Sequence, residues 1–335
     1  MNILLTGGLG FIGSHTATVL ADYGHHVVII DNLYNSQKET LNSLRSITGK
    51  VLPFYEGDVR DLPLLKRILK EEQIECVIHF AGLKSVAQSQ TNPLEYFDNN
   101  VGGSIALLEA MQAINIKKLI FSSSATVYGA PQYLPYDEAH PLQPINVYGR
   151  TKLQVEEILQ DLSQSDDAWS IVCLRYFNPI GAHNCGLIGE RPQGIPNNLM
   201  PYLCQVASGQ LPHLNIFGDD YDTKDGTGER DYIHVMDLAE GHAAALALMN
   251  RQTGFEAINL GTGNPVSVYE LVHAFERSIQ RTIPRIVQKR RSGDLPIYYA
   301  KVDKASRLLN WRAQRDLQAM CDSSWKYEQK IRAVL

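Results

Sequence analysis

Apolar positions along the chain come in short uninterrupted runs that alternate with stretches of helical spacing. Ile3-Leu4-Leu5 is the first run, as a strand buried on both faces requires. Helical spacing follows over residues 14–23, Gly24 is a stop signal, and a second strand over 26–30 ends on Asp31. Residues 51–59 read as a third strand. Residues 75–82 read as a fourth, opening into the turn Ala81-Gly82, and 118–129 as a fifth that runs out through Ser122-Ser123-Ser124. A long helix is predicted over 93–114, with Val101, Ile105, Leu108 and Met111 on one stripe. Another follows Asn146, where Leu153, Val155, Ile158, Leu159 and Leu162 recur at helical spacing, and residues 170–175 form a further strand. After Phe177-Asn178-Pro179 the composition shifts, and residues 182–198 are rich in Gly, Pro, Asn and His, as a loop-rich second lobe would be.

Between the first strand and the first helix stands Thr6-Gly7-Gly8-Leu9-Gly10-Phe11-Ile12-Gly13. Strand, glycine-rich turn, helix, strand and terminal acid make a dinucleotide-binding βαβ unit. Glycines let the backbone approach a pyrophosphate held by the free N–H groups at the helix start. Asp31 is placed to accept from the adenosine ribose hydroxyls, and its charge repels a 2′-phosphate, which favours NAD over NADP. The predicted fold is therefore α/β: a Rossmann-type doubly wound parallel sheet with a smaller mixed α/β C-terminal domain. Residues 1–177 are the expected NAD-binding domain and 178–335 the second.

Asp58 is a candidate for the adenine amino group, or equally the N-cap of a helix starting near Leu62. Lys84 is a candidate for ribose or phosphate. Asn99 and Asn100 are poor helix formers inside the long helix; either one faces the cofactor or both are simply exposed. His79 reads as a packed strand residue, since no partner has metal-ligand spacing, and no metal is expected.

The totals narrow the class without changing it. The chain has 335 residues, 44% hydrophobic and 20% charged, with a net charge of −5 and no long basic run, which argues against a nucleic-acid surface. No stretch reaches about 18 uninterrupted apolar residues, and the N-terminus opens directly on a strand, so neither a membrane span nor a secretory signal is expected. The five cysteines are scattered, with no C-x-x-C, and a reducing cytoplasm is the simplest setting.

Tyr148 and Lys152 stand at i and i+4, on one face of the predicted helix. Free tyrosine titrates near pH 10, so a base working at pH 7 needs about 3 pH units of help, roughly 4 kcal/mol. A neighbouring ammonium favours the phenolate. Alone, such a pair fits a solvated helix face as well as a proton-handling site. Ser124, at the end of its strand, is positioned to join the pair beside a nicotinamide, and no G-x-S-x-G elbow competes.

The glycine turn, Asp31-Asn32, Ser122-Ser123-Ser124 and Tyr148-x-x-x-Lys152 together resemble the extended short-chain dehydrogenase/reductase family. Phe80-Ala81-Gly82-Leu83-Lys84, Ser124-Ala125-Thr126-Val127-Tyr128-Gly129 and Leu174-Arg175-Tyr176-Phe177-Asn178 are similar to the branch that inverts C4 of UDP-hexoses, over nearly the whole chain. Within Tyr148-Gly149-Arg150-Thr151-Lys152 the two central positions depart from the more usual Lys-Ser, and the dyad is left intact. The resemblance implies interconversion of UDP-galactose and UDP-glucose, with Tyr148, Lys152 and Ser124 catalytic and a tightly bound NAD recycled at each turnover. For NAD it implies Gly7, Gly10, Phe11, Ile12, Gly13, Asp31, Asn32, Asn35, Ser36, Asp58, Val59, Phe80, Ala81, Gly82, Lys84, Asn99, Ser122, Tyr148, Lys152 and Phe177. For the UDP-sugar it implies Ser124, Tyr148, Asn178, Asn198, Leu199, Phe217, Arg230, Tyr232, Arg291, Asp294 and Tyr298. A bulky Tyr298 is expected to disfavour UDP-GlcNAc and UDP-GalNAc.

The resemblance further implies that residues 231–235 and 257–261 pack back on the first domain, that Gly261 and Gly263 form a structural turn, and that the stripes of 93–114 and 148–162 build a helix-bundle homodimer. A sugar dehydratase would carry Asp-Glu where Ala125-Thr126 follow Ser124. A net dehydrogenase is less firmly excluded, and a non-catalytic NAD sensor would lack the dyad.

Overall fold

Runs that are apolar at every position have no face to show to water, and the chain buries them between two layers of helices. The structure, a computed structural model, describes residues 1–192, 194, 196–291 and 293–334. Its first half runs β1 (Asn2–Thr6), α1 (Phe11–Asp22), β2 (His26–Asp31), α2 (Thr40–Thr48), β3 (Phe54–Glu56), α3 (Leu62–Glu71) and β4 (Cys76–His79). Then come α4 (Val86–Thr91), α5 (Pro93–Tyr96), α6 (Gly103–Ala113), β5 (Lys118–Ser124), α7 (Val147–Ser165) and β6 (Ser170–Tyr176). The second half begins with β7 (Asn178–Ile180), α8 (Leu199–Ala207), β8 (Leu214–Phe217), β9 (Glu229–His234), α9 (Val235–Met249) and β10 (Gly254–Leu260). It ends with β11 (Pro265–Ser267), α10 (Val268–Ile279), β12 (Arg285–Gln288), β13 (Ile297–Tyr298), α11 (Asp303–Leu309) and α12 (Leu317–Val334).

Seven parallel strands form one sheet in the order β10-β6-β5-β4-β1-β2-β3. Successive side chains point to opposite faces, so Ile3 and Leu5 join a core with α1 and α9, while Leu4 joins one with α3, α6 and α7. The strand order reverses between β1 and β4, which opens a ligand crevice at their carboxyl ends. This is the Rossmann-type doubly wound sheet. In the second lobe β7, β11 and β13 all pair with β9, and β12 pairs with β8. Met200, Leu203, Leu271, Phe275 and Met320 fill its core.

Four expectations change. The third strand shrinks from 51–59 to Phe54–Glu56, because Val51 is 73% exposed and Pro53 has no amide to donate. The first helix starts at Phe11 rather than at residue 14, its turn closed by Ser14 N–H on Gly10. The helix expected over 93–114 is divided by a π-helical segment, Phe97–Gly102. There the Asn100 side chain accepts from Leu83 N–H at 2.7 Å and donates to Leu83 O at 3.0 Å and Thr151 Oγ1 at 3.1 Å, which a regular turn does not arrange. Finally, residues 231–234 do not return to the first sheet. β9 is the centre of the second one, pinned by Asp231, whose buried carboxylate accepts from Thr262 and Gly263 N–H and from Ala300 N–H. The return is made by α9, packed on α1, and by β10 at the edge beside β6. Gly261 serves the turn around Asp231: a Cβ there would lie 2.5 Å from Oδ2.

α7 is tied to the sheet by an ion pair. Glu156 receives Arg175 Nη2 at 2.6 Å and Nε at 3.0 Å, together with the Ser123 hydroxyl, and both charged groups are buried. Glu156→Ala strands the guanidinium. The expected loss of unfolding free energy in a urea titration is about 3–5 kcal/mol; a loss below about 1 kcal/mol would show that Arg175 had found another partner.

Candidate active site

The glycine turn sits at the reversal of strand order, pressed against the strand beside it. Gly7 has φ +65°, and a Cβ on it would lie 2.8 Å from Ala81 N; one on Gly13 would lie 2.6 Å from Gly7 O. No side chain caps the start of α1, so the N–H groups that open the helix are left for an anion, which fits a dinucleotide diphosphate. Phe11 and Ile12 are the first residues of that helix.

Asp31 ends β2 with its carboxylate oriented by three donors, Leu9 N–H at 3.0 Å, Leu33 N–H at 2.9 Å and the Ser36 hydroxyl at 2.7 Å. Asn32 donates to Asp58 at 3.1 Å. Arg60 forks onto Asp58 at 2.8 Å and holds its carboxyl well below the usual carboxylate range. The capping alternative for Asp58 is overturned: Asp61 caps α3, accepting from Leu64 N–H at 3.0 Å. Asn35 is exposed on the same loop and Val59 is buried against Gly103. Asn99 is half-buried in the π-helical segment, whereas Asn100 is buried and holds the loop after β4 rather than lying exposed. His79 is packed in β4 between the Thr6 and Ser104 hydroxyls, at 2.6 and 3.0 Å.

The same loop connects the turn to the dyad. Phe80 and Ala81 back the glycines, and a Cβ at Gly82 would lie 3.7 Å from Lys152 Nζ. α7 starts at Asn146, whose side chain accepts from Gly149 N–H at 2.8 Å, and this sets Tyr148 and Lys152 in its first turns. Lys152 is 5% exposed; Nζ donates to Ser122 O at 2.6 Å and lies 4.7 Å from the Phe121 ring centroid and 5.9 Å from that of Tyr148. Burial pulls its ammonium down to about 8. Burial pushes the Tyr148 phenol up to about 12, offset in part by the Ser124 hydroxyl bonded to it. The expected depression of the phenol by Lys152 is therefore not supplied by the chain itself, because the ammonium is spent on a carbonyl and a ring face rather than on the phenol oxygen. Ser124 Oγ also accepts from Thr126 N–H at 3.2 Å and from its hydroxyl at 2.9 Å.

Across the crevice Phe177, Tyr298 and Tyr136 form an aromatic wall, with Tyr298 5.2 Å from Phe177 and 4.8 Å from Tyr136. The Tyr298 hydroxyl is buried and has no hydrogen-bond partner among the described residues. Asn178 pairs in register with Tyr232, which is buried, its phenol pushed up to about 12. Arg230 donates to Glu229 O at 2.9 Å and stands 3.9 Å from Asp294. The Arg291 guanidinium lies 4.0 Å from the Phe217 ring centroid. Asn198 precedes Leu199 at the start of α8, but its side chain does not cap the helix; Nδ2 donates to Glu190 Oε1 at 2.8 Å, and Lys84 Nζ donates to the same oxygen at 3.0 Å. Neither Glu190 nor Tyr136 was among the sequence candidates, and nothing in local spacing points to either. Among the described residues no His, Cys, Asp and Glu group is placed to hold a metal ion, and no helix is long and apolar enough to cross a membrane.

Turn, acid and dyad on this fold define a nucleotide-dependent oxidoreductase-type site, and residues 3–261 match the NAD dependent epimerase/dehydratase family, to which the chain belongs. Its relatives are more particular than that class. A UDP-glucose 4-epimerase of Neisseria meningitidis serogroup A is 54% identical over 327 residues, 97% of this chain and 96% of that one. A UDP-glucose-4-epimerase from Stenotrophomonas maltophila, crystallised with NAD and formylated UDP-arabinopyranose, superposes with a TM-score of 0.98 at 47% identity over all of both chains. One from Bifidobacterium longum, in complex with NAD+ and UDP, gives 0.96 at 46%, again over both whole chains.

With no cationic neighbour bonded to its oxygen, the Tyr148 phenol of cofactor-stripped protein is expected to stay protonated past its ordinary value of about 10. A spectroscopic difference titration of native against Tyr148→Phe protein reads this. A phenolate signal below about pH 10 would show that Lys152 reaches the oxygen after all.

Proposed function

We propose that the protein interconverts UDP-galactose and UDP-glucose, with NAD retained through each turnover. The observation that carries this reading is the group made by buried Lys152 with half-buried Tyr148 and Ser124, set between the dinucleotide turn and a lobe that presents Arg230 and Arg291. Residues 1–177, with α9 and β10, hold the cofactor, and the rest of the second half holds the UDP-sugar. Gly7, Gly10 and Gly13 admit the diphosphate of NAD, Asp31 takes the adenosine ribose, and Lys84 and Lys152 hold the remainder.

C4 of a hexose has no carbonyl neighbour, so its hydrogen is not acidic and inversion requires transient oxidation. NAD, when bound, supplies a reversible hydride acceptor and a positive charge beside the phenol. Tyr148 removes the O4 proton, and Ser124, bonded to the phenol, orients O4 and relays the proton. Lys152, anchored on the Ser122 carbonyl, keeps the site electropositive as the phenolate forms. Arg230 and Arg291 clamp the UDP diphosphate with charge-assisted bonds, Phe217 packs on the uracil, and Asp294 accepts from the ribose. Asn178, Asn198, Leu199 and Tyr232 complete that anchor. With affinity concentrated on UDP, the 4-keto sugar turns over inside the aromatic wall and presents the opposite face of C4 for return of the hydride, while Tyr148 returns the proton to O4. The bulk of Tyr298 disfavours an N-acetyl group at C2, and the absence of Asp-Glu after Ser124 disfavours dehydration.

The unpartnered stripe has the chemistry of a helix-bundle homodimer: Ile105 is 41% exposed, and with Leu108, Ile158 and Leu162 it borders a shallow cavity between α6 and α7. Five unpaired thiols are consistent with a reducing cytoplasm.

Purified protein given UDP-galactose without added NAD is expected to yield UDP-glucose with no bulk NADH. Tyr148→Phe is expected to lower turnover by at least about a hundredfold while UDP binding survives; near-normal turnover would remove Tyr148 as the base. In sedimentation, native protein is expected to run as a dimer and Ile105→Asp as a monomer. A native monomer would remove the bundle.

A further inference from the structure

Glu190 lies in the loop that leads to α8, and one of its oxygens joins two residues from opposite sides of the crevice. Oε1 accepts from Lys84 Nζ at 3.0 Å and from Asn198 Nδ2 at 2.8 Å. Lys84 follows β4, 106 residues away, whereas Asn198 opens α8. The carboxylate is 9% exposed, and among the described residues its second oxygen is buried with no donor in reach. This is a poor arrangement for stability. Lys84 is 48% exposed, so its ion pair contributes little to folding, while a dry carboxylate oxygen is costly. The contact makes sense as geometry: it fixes where two flexible donors stand.

We propose that Glu190 is a positioning residue that couples the two halves of the site, holding Lys84 where it meets the cofactor and Asn198 where it meets the UDP-sugar. This rests on the function proposed above. Glu190 touches neither the dyad nor Ser124, so its loss acts on binding before it acts on chemistry. Without it, two donors that a diphosphate ligand needs in place are free to wander, and their ordering is charged to each binding event.

The test uses the NAD-loaded protein and UDP as the probe. Glu190→Gln is expected to weaken UDP binding in calorimetry by about tenfold, the scale of one charge-assisted hydrogen bond, to speed release of NAD, and to raise KM for UDP-galactose more than it lowers kcat. In Asn198→Ala the same substitution should change UDP affinity by less than about twofold, and in Lys84→Met it should add equally little to NAD release. Glu190→Asp, which keeps the charge but not the reach, is expected to weaken binding as Glu190→Gln does, and provides the readout if the glutamine variant does not fold. Unchanged UDP affinity and NAD release in a folded Glu190 variant, or full effects persisting in the Asn198 and Lys84 backgrounds, would overturn the proposal. Turnover by the native chain separates the two readings: its absence overturns the reaction, whereas native turnover beside unaltered Glu190→Gln binding overturns the coupling alone.

Discussion

A single cation held out of water sets the terms for the rest of the site. The Lys152 ammonium trades its hydration for one carbonyl, Ser122 O, and the faces of two rings. That exchange makes demands on every neighbour. β5 must end with a carbonyl aimed at α7, and the loop after β4 passes close by at Gly82, where a Cβ would lie 3.7 Å from Nζ. Glu156, one turn further along α7, lends a negative charge from behind while it binds Arg175. The outcome is an ammonium that gives up its proton more readily than free lysine, next to a phenol that gives up its own less readily. The two groups of the dyad are thus pushed apart in acidity, so the chain alone keeps the phenol protonated and the positive charge of a bound dinucleotide would be what favours the phenolate.

The arginines differ in how fully they are engaged. Arg175 is spent on Glu156, and Arg290 on Asp220 at 2.7 Å, with its face over Tyr221. Arg230 donates to Glu229 O and has a loose contact with Asp294, and Arg291 uses its face on Phe217. Adjacent positions 290 and 291 therefore differ in their contacts through their neighbours, not their chemistry.

What could be read from the chain was what is local. The glycine turn, Asp31, the alternating strands and the Tyr148/Lys152 spacing each lie within a few residues of their own evidence. What could not be read depends on partners far away in sequence. Asp231 was expected near the first sheet, but its carboxylate is satisfied by Thr262 and Ala300, and those bonds centre β9 in the second lobe. Spacing placed Lys152 beside Tyr148, yet a carbonyl 30 residues upstream decided where Nζ points. Glu190 carries no local signal at all, since its meaning lies in Lys84 and Asn198.

The π-helical segment at Phe97–Gly102 is more than an interruption. A π turn carries one residue beyond the regular count, and each residue advances an α-helix by about 100°. That single surplus residue sets the rotational phase of everything after it. It turns Asn100 inward to the loop beside Lys152 and, on α6, turns Ile105 outward. The inner wall of the catalytic crevice and the outer apolar face are thereby geared to one another, so a one-residue deletion here would misalign both at once while leaving every side chain in them unchanged.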